Sequence, residues 1–279
     1  MSSPVIEVAQ LVEAMARGAK LAIVDCRFDP LNPAAGEQAY RTGHIPGAHY
    51  AHLENDLAAR DKSSGGRHPI PSVDEFTALM ARYGVDADTL LVCYDAGDLA
   101  AAARLWWTAR YFGLARVAVL NGGYAAWLAA NQASVTTPAA AGNGTFSATP
   151  NPAMSVDFAA VCYGEHRPLL VDSRDPPRFS GEVEPIDMQA GHIPGAINLP
   201  WRLSLGDNGL LRSAEEMRQR WQPLLKGQAA PILYCGSGVT ACVNLLALEV
   251  AGLQGARLYP GSWSDWCQHG GAVATGLSG

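Results

Sequence analysis

The chain has 279 residues, 48% of them hydrophobic and 16% charged, with a formal net charge of −6. That length suits two domains of ordinary size with sizeable cores, and an acidic balance without any Lys/Arg-rich run argues against nucleic acid and membrane surfaces as partners. Six cysteines without a CxxC are too sparse for a disulfide scaffold, and no secretory signal or membrane-length apolar run is visible, so a cytoplasmic protein with reduced thiols is expected.

In chain order, short apolar runs alternate with helical patterns. "KLAIVDC" (20–26) reads as a buried parallel strand ending in a polar turn, and "GHIPGA" (43–48) follows it. Ser72-x-x-Glu75 is a capping box in front of a helix. "TLLVCY" (89–94) is a second strand, followed by an Ala/Leu-rich helix, and "RVAVLNGG" (116–123) is a third with a glycine turn. Residues 133–154, "ASVTTPAAAGNGTFSATPNPAM", have a linker composition. The expected organisation is a domain over 1–135, a linker over 136–152 and a domain over 153–279.

Beyond the linker the same order returns. "LLVDSR" (169–174) answers "AIVDCR" (22–27), "GHIPGA" recurs at 191–196, and Ser213-x-x-Glu216 answers the first capping box. "PILYC" (231–235) answers "LLVCYD" (90–95), and "PGSWSDW" (260–266) answers "NGGYAAW" (121–127). These are two copies of one α/β fold, each a parallel sheet covered by helices on both faces. The first copy carries extra residues around "RDKSSGGRHPIP" (60–71).

The copies differ chemically at one turn. After its strand the second copy has Cys235 and the loop Gly236-Ser237-Gly238-Val239-Thr240, where the first has Asp95 and "AGDLAA". A thiol at a strand-to-helix turn meets converging backbone N–H groups and the positive end of a helix, and both favour thiolate. Asp95 reads as a helix cap. A phosphatase-type cradle would need an arginine where Ala241 stands, to hold phosphoryl oxygens. A cysteine hydrolase would need a histidine base, and none lies near Cys235 in sequence, although His44 and His192 could approach in space. Sulfur transfer through a persulfide needs only a small N–H cradle, and the short uncharged loop suits it best.

With "VD-x-R", "GHIPGA", the loop "CGSGVT" of the second half and the closing "GG/GS-x-x-x-W", each in family order, the chain resembles the two-domain rhodanese-family sulfurtransferases over essentially its whole length. The resemblance implies tandem rhodanese-like domains, the first non-catalytic and the second catalytic. Cys235 would carry a persulfide, and Gly236, Ser237, Gly238, Val239 and Thr240 would form the substrate cradle. Sulfur would pass from 3-mercaptopyruvate or thiosulfate to cyanide, a small thiol or a thioredoxin-like protein. A monomer is implied, with neither cofactor nor metal. The alternatives are a thiosulfate-specific enzyme and a non-catalytic sulfur-binding module on the same fold.

The neutral loop resembles the mercaptopyruvate-using branch, in which Arg178 would hold the donor carboxylate. The second arginine of that branch follows an "EP" pair, but here Glu184-Pro185 is followed by Ile186-Asp187, leaving Arg202 or Arg212 as substitutes. A serine–histidine–acid relay in such relatives would map to Ser237 and His44. Pro33 falls at the acid's position, and Glu37 and Asp29 are stand-ins. Asp172 and Arg174, matched by Asp25 and Arg27, sit just past a strand end, where a structural ion pair or a supporting role is expected.

Overall fold

The computed structural model describes residues 3–163, 168–226 and 230–277, and within them the chain divides into two compact units. The first comprises the chain up to Arg60, Pro71–Pro150 and Asp207–Leu210; the second comprises Asp61–Ile70, Asn151–Gly206 and the chain from Leu211 on. The segment 61–70, an insertion in the first copy by sequence, therefore belongs to the second unit.

The first unit is built on a five-stranded parallel sheet of β1 (Val5–Ile6), β2 (Leu21–Asp25), β3 (Ala48–Tyr50), β4 (Leu90–Tyr94) and β5 (Val117–Leu120), in the order β1-β5-β4-β2-β3. Helices α1 (Val8–Ala16), α2 (Ala35–Thr42), α3 (Val73–Arg82), α4 (Ala100–Tyr111) and α5 (Gly123–Ala129) flank it. The central strands β2 and β4 are near-continuous Leu/Ile/Val runs because helices cover them. α3 starts at the capping box, where Glu75 N–H donates to Ser72 Oγ at 3.2 Å and Ser72 N–H to Glu75 Oε2 at 2.8 Å. Ile23, Val92, Tyr94, Leu120 and Trp127 pack at the centre of its core.

The linker-like stretch is fastened to this unit. Gly142 N–H donates to Arg82 O (2.7 Å), Gly144 N–H to Ala81 O (2.9 Å) and Phe146 N–H to Val85 O (3.0 Å). A Cβ on Gly142 or Gly144 would fall 2.4 or 2.3 Å from the Gly84–Val85 backbone, so glycine is what permits the close approach. Phe146 closes the strap edge-on to Phe76.

The second unit repeats the architecture. Its parallel sheet, of order β7-β6-β8-β9, consists of β6 (Leu170–Asp172), β7 (Ile197–Asn198), β8 (Ile232–Tyr234) and β9 (Arg257–Leu258). Helices α6 (Phe158–Tyr163), α7 (Pro176–Ser180), α8 (Ala214–Leu225), α9 (Ala241–Val250) and α10 (Ser262–Gln268) surround it. Ser155 bridges Leu258 in parallel where β1 pairs with β5 in the first unit. The capping box recurs at Ser213 and Glu216.

Both units tie strand to motif in the same way. Arg27 donates to Asp25 Oδ2 and to Gly43 O, each at 2.6 Å, and Arg174 donates to Asp172 Oδ2 and to Gly191 O, again at 2.6 Å. The ion pair after the strand thus holds the first glycine of "GHIPGA". It positions the C-terminal ends of the strands, where a ligand would meet the sheet.

Candidate active site

Cys235 follows β8 directly, and α9 begins six residues later at Ala241. α10 clamps the intervening loop: Cys235 N–H donates to Ser262 Oγ (3.2 Å), Trp263 N–H to Cys235 O (3.0 Å) and Ser264 N–H to Gly236 O (2.9 Å). Gly238 turns the loop at φ +73°, a backbone region that favours glycine. The thiol is 1% exposed. Burial pushes it up, but the Thr240 hydroxyl and the Ala241 and Ser237 N–H groups donate to the sulfur and leave it below the ordinary thiol value. The start of α9 adds the positive end of its dipole.

The first unit fills its equivalent cradle with its own side chain. Asp95 accepts from the N–H groups of Gly97 (3.0 Å), Leu99 (3.0 Å) and Ala102 (3.1 Å). The N–H groups around that loop are thus already occupied by a carboxylate, and no thiol is present. Burial, then the nearby Asp98 carboxylate, raise the Asp95 carboxyl to about 7 despite these donors.

Two side chains from the segment 61–70 reach the Cys235 loop. His68 Nδ1 lies 2.8 Å from Ser237 Oγ. Arg67 is placed by its own N–H donating to Ser264 Oγ at 3.1 Å, and Gly65 and Gly66 before it run at φ +79° and +77°. A Cβ built on Gly236 would lie 3.1 Å from Arg67 Nη2 and 3.4 Å from both terminal nitrogens of Arg178. Two guanidiniums therefore converge on the residue next to the thiol. Arg178 donates to Glu184 Oε1 (2.7 Å) and Asp187 Oδ2 (3.0 Å), and Arg67 pairs with the other oxygen of Asp187. Arg174 joins them through Glu184 Oε2 at 3.2 Å.

A Rhodanese-like domain model matches residues 7–130 and 162–269. The chain belongs to the rhodanese family. It is 42% identical over 272 residues (95% of this chain, 96% of the relative) to a protein of Pseudomonas aeruginosa named a probable 3-mercaptopyruvate sulfurtransferase. It is 36% identical over 265 residues (94% and 93%) to the putative thiosulfate sulfurtransferase SseB of Mycobacterium tuberculosis. Among solved structures it is similar to the 3-mercaptopyruvate sulfotransferase SseA of Escherichia coli, with a TM-score of 0.79 and 32% identity over 94% of this chain and all of that one.

Within this rhodanese chain the residues singled out from sequence fall into two groups. Cys235, the Gly236–Thr240 loop, Arg178, Asp172 and Arg174 are brought together in the second unit. The histidine on Ser237 is His68 rather than His44. The His44 ring is stacked on Tyr40, with Nδ1 2.7 Å from Tyr40 O and Nε2 3.1 Å from Thr137 O. Of the acids expected to serve it, Glu37 pairs with Arg41 and Asp29 receives the Leu31 N–H. Nor does Arg202 or Arg212 supply the second guanidinium. Arg202 lies over Trp201 and 3.7 Å from Asp175, and Arg212 bonds Leu203 O and Glu216. Arg67 and His68 escaped sequence reasoning because neither falls in a motif that the two copies share. The available signal was "RDKSSGGRHPIP" itself, a stretch that the duplication does not explain.

Proposed function

We propose that this chain is a sulfurtransferase that moves a sulfane sulfur from 3-mercaptopyruvate, with thiosulfate as a second donor, to a thiol or cyanide acceptor. The observation that carries this is a buried thiol on the β8–α9 loop whose sulfur receives the Thr240 hydroxyl and the Ser237 and Ala241 N–H groups, with the Arg67 and Arg178 guanidiniums beside Gly236. The Cys235 thiolate attacks the donor's sulfur and an S–S bond forms. With 3-mercaptopyruvate the S–C bond breaks, and its electron pair leaves on carbon as the enolate of pyruvate, which a proton quenches. With thiosulfate the S–S bond breaks and sulfite leaves. The acceptor's nucleophile then takes the outer sulfur, and Cys235 returns as thiolate, which the cradle stabilises.

One contact favours the keto-acid donor. The Ser237 hydroxyl, in the thiol loop and hydrogen-bonded to His68, gives the departing enolate a route to a proton, which departing sulfite does not need. The supporting arginine is Arg178, beside Gly236.

Among the described residues no helix is long and apolar enough to cross a membrane. A thioredoxin-like acceptor and a monomeric, cytoplasmic protein complete the reading. The test is thiocyanate formation from cyanide with each donor. Cys235→Ser is expected to abolish it with an unchanged melting temperature; turnover retained by that folded variant would rule out the persulfide route.

A further inference from the structure

Around the thiol loop the charges close on themselves. Arg67, Arg174 and Arg178 face Asp172, Glu184 and Asp187, three cations against three anions. Glu184 and Asp187 are each 3% exposed at the side chain, and buried carboxylates persist as anions only when paired. Asp187 is the unusual member. It bridges Arg67 and Arg178, one oxygen to each, at the two guanidiniums that stand over Gly236. Its chain neighbours Ile186 and Met188 are exposed, at 47% and 91%. A buried carboxylate on a surface segment can leave without taking core with it.

We propose that Arg67, from a distant segment, joins Arg178 in holding the carboxylate of an α-keto acid donor, and that Asp187 is the internal occupant of this pair, which the donor displaces. This rests on the sulfurtransferase reading given above. A carboxylate bridging two forked guanidiniums is the geometry in which arginine recognises this group. The clamp lies one residue from the attacking sulfur, and the donor's sulfur is only a few bonds from its carboxylate. The charge count explains why the pair needs an occupant. With Asp187 withdrawn, two guanidiniums would share a partly buried site, and each would repel the other. Asp187 therefore sets donor affinity by competition. It stands two residues past Glu184-Pro185, where no basic residue follows, and Arg67 supplies from another segment the cation missing there.

The test uses the full chain with Arg67→Ala and Asp187→Asn, and two readouts. One is KM and kcat with 3-mercaptopyruvate. The other needs no turnover: the protection of Cys235 against iodoacetamide by pyruvate, an α-keto carboxylate, followed by peptide mass spectrometry. Loss of a charge-assisted hydrogen-bond pair predicts that Arg67→Ala raises KM and the half-protecting pyruvate concentration roughly ten- to hundredfold, with kcat changed much less. Asp187→Asn removes the competing charge and is expected to lower both several-fold. Unchanged KM and protection in Arg67→Ala would overturn the clamp. Absence of pyruvate protection in both the native chain and Asp187→Asn would do the same. Should Arg67→Ala fail to fold, Asp187→Asn decides alone, and unaltered or weaker donor binding there overturns the proposal. A native chain silent with every donor, yet protected by pyruvate in an Arg67-dependent way, would refute the sulfurtransferase reading and uphold the clamp.

Discussion

Thr240→Val tests the cradle at the atom that matters. The substitution keeps the shape of the side chain and removes the hydroxyl that donates to Cys235 sulfur, leaving the Ala241 and Ser237 N–H donors in place. A hydrogen bond to a charged group contributes about 1.5–3 kcal/mol, and about 1.4 kcal/mol is a factor of ten in an ionisation equilibrium, so the ionisation constant of the thiol should fall at least about tenfold. The midpoint of the pH–rate profile for iodoacetamide alkylation should move up by roughly one pH unit on the same basis. A more basic thiolate is also a better nucleophile, with a Brønsted slope of about 0.4–0.5, which returns roughly threefold of the loss. The net expectation is alkylation of Cys235 about threefold slower below both midpoints but faster than native at high pH, where both thiols are ionised. That crossing of the two profiles separates a lost donor from a disturbed fold, which would change rates in one direction at every pH. Profiles that superimpose would refute the hydroxyl's role. Profiles that differ by a constant factor would mean that access to the buried sulfur, not its ionisation, had changed.

Further perturbations follow from single contacts. Gly66→Ala places a Cβ 2.4 Å from Ser264 Oγ and 2.5 Å from Gly261 O at a positive φ. The backbone cost alone is about 1–2 kcal/mol, so a raised KM with a small drop in melting temperature is expected, measured by donor kinetics and calorimetry. Asp95 has a folded value of about 7, above its ordinary carboxyl value, so its contribution to stability is complete at low pH and is lost as pH rises toward 7. Asp98→Asn removes the neighbouring charge that helps raise it and should flatten the decline of melting temperature between pH 4 and 7; an unchanged decline would remove Asp98 from that account. Phe146→Ala deletes the buried ring that seals the strap against Phe76 and should destabilise the first unit by about 3–5 kcal/mol in urea unfolding.

Much of this protein is written in its order of residues, because the deciding interactions are local. The parallel strands around Ile23, Val92, Val171 and Leu233 are apolar runs that only a sheet covered by helices can bury. Helix starts at Ser72 and Ser213 are fixed by a side chain three residues away. The duplication, and the exchange of Cys235 for Asp95 at one turn, are visible without coordinates. So is the thiolate-favouring environment, since the loop and the helix behind it are contiguous in the chain.

What only the tertiary structure decided is which distant segments reach that loop. The family resemblance points to His44 of the first "GHIPGA" as the partner of Ser237, and the missing second arginine leaves Arg202 or Arg212 as candidates. Instead His44 packs against Tyr40, with both ring nitrogens on backbone carbonyls. The segment 61–70, carried by the first copy, packs on α10 and delivers Arg67 and His68 to the thiol loop of the second unit. Sequence spacing carries no information about such a crossing. It is set by two positive-φ glycines, one hydroxyl acceptor at Ser264 and the pairing of Arg67 with Asp187, an arrangement that exists only when three separated segments have folded together.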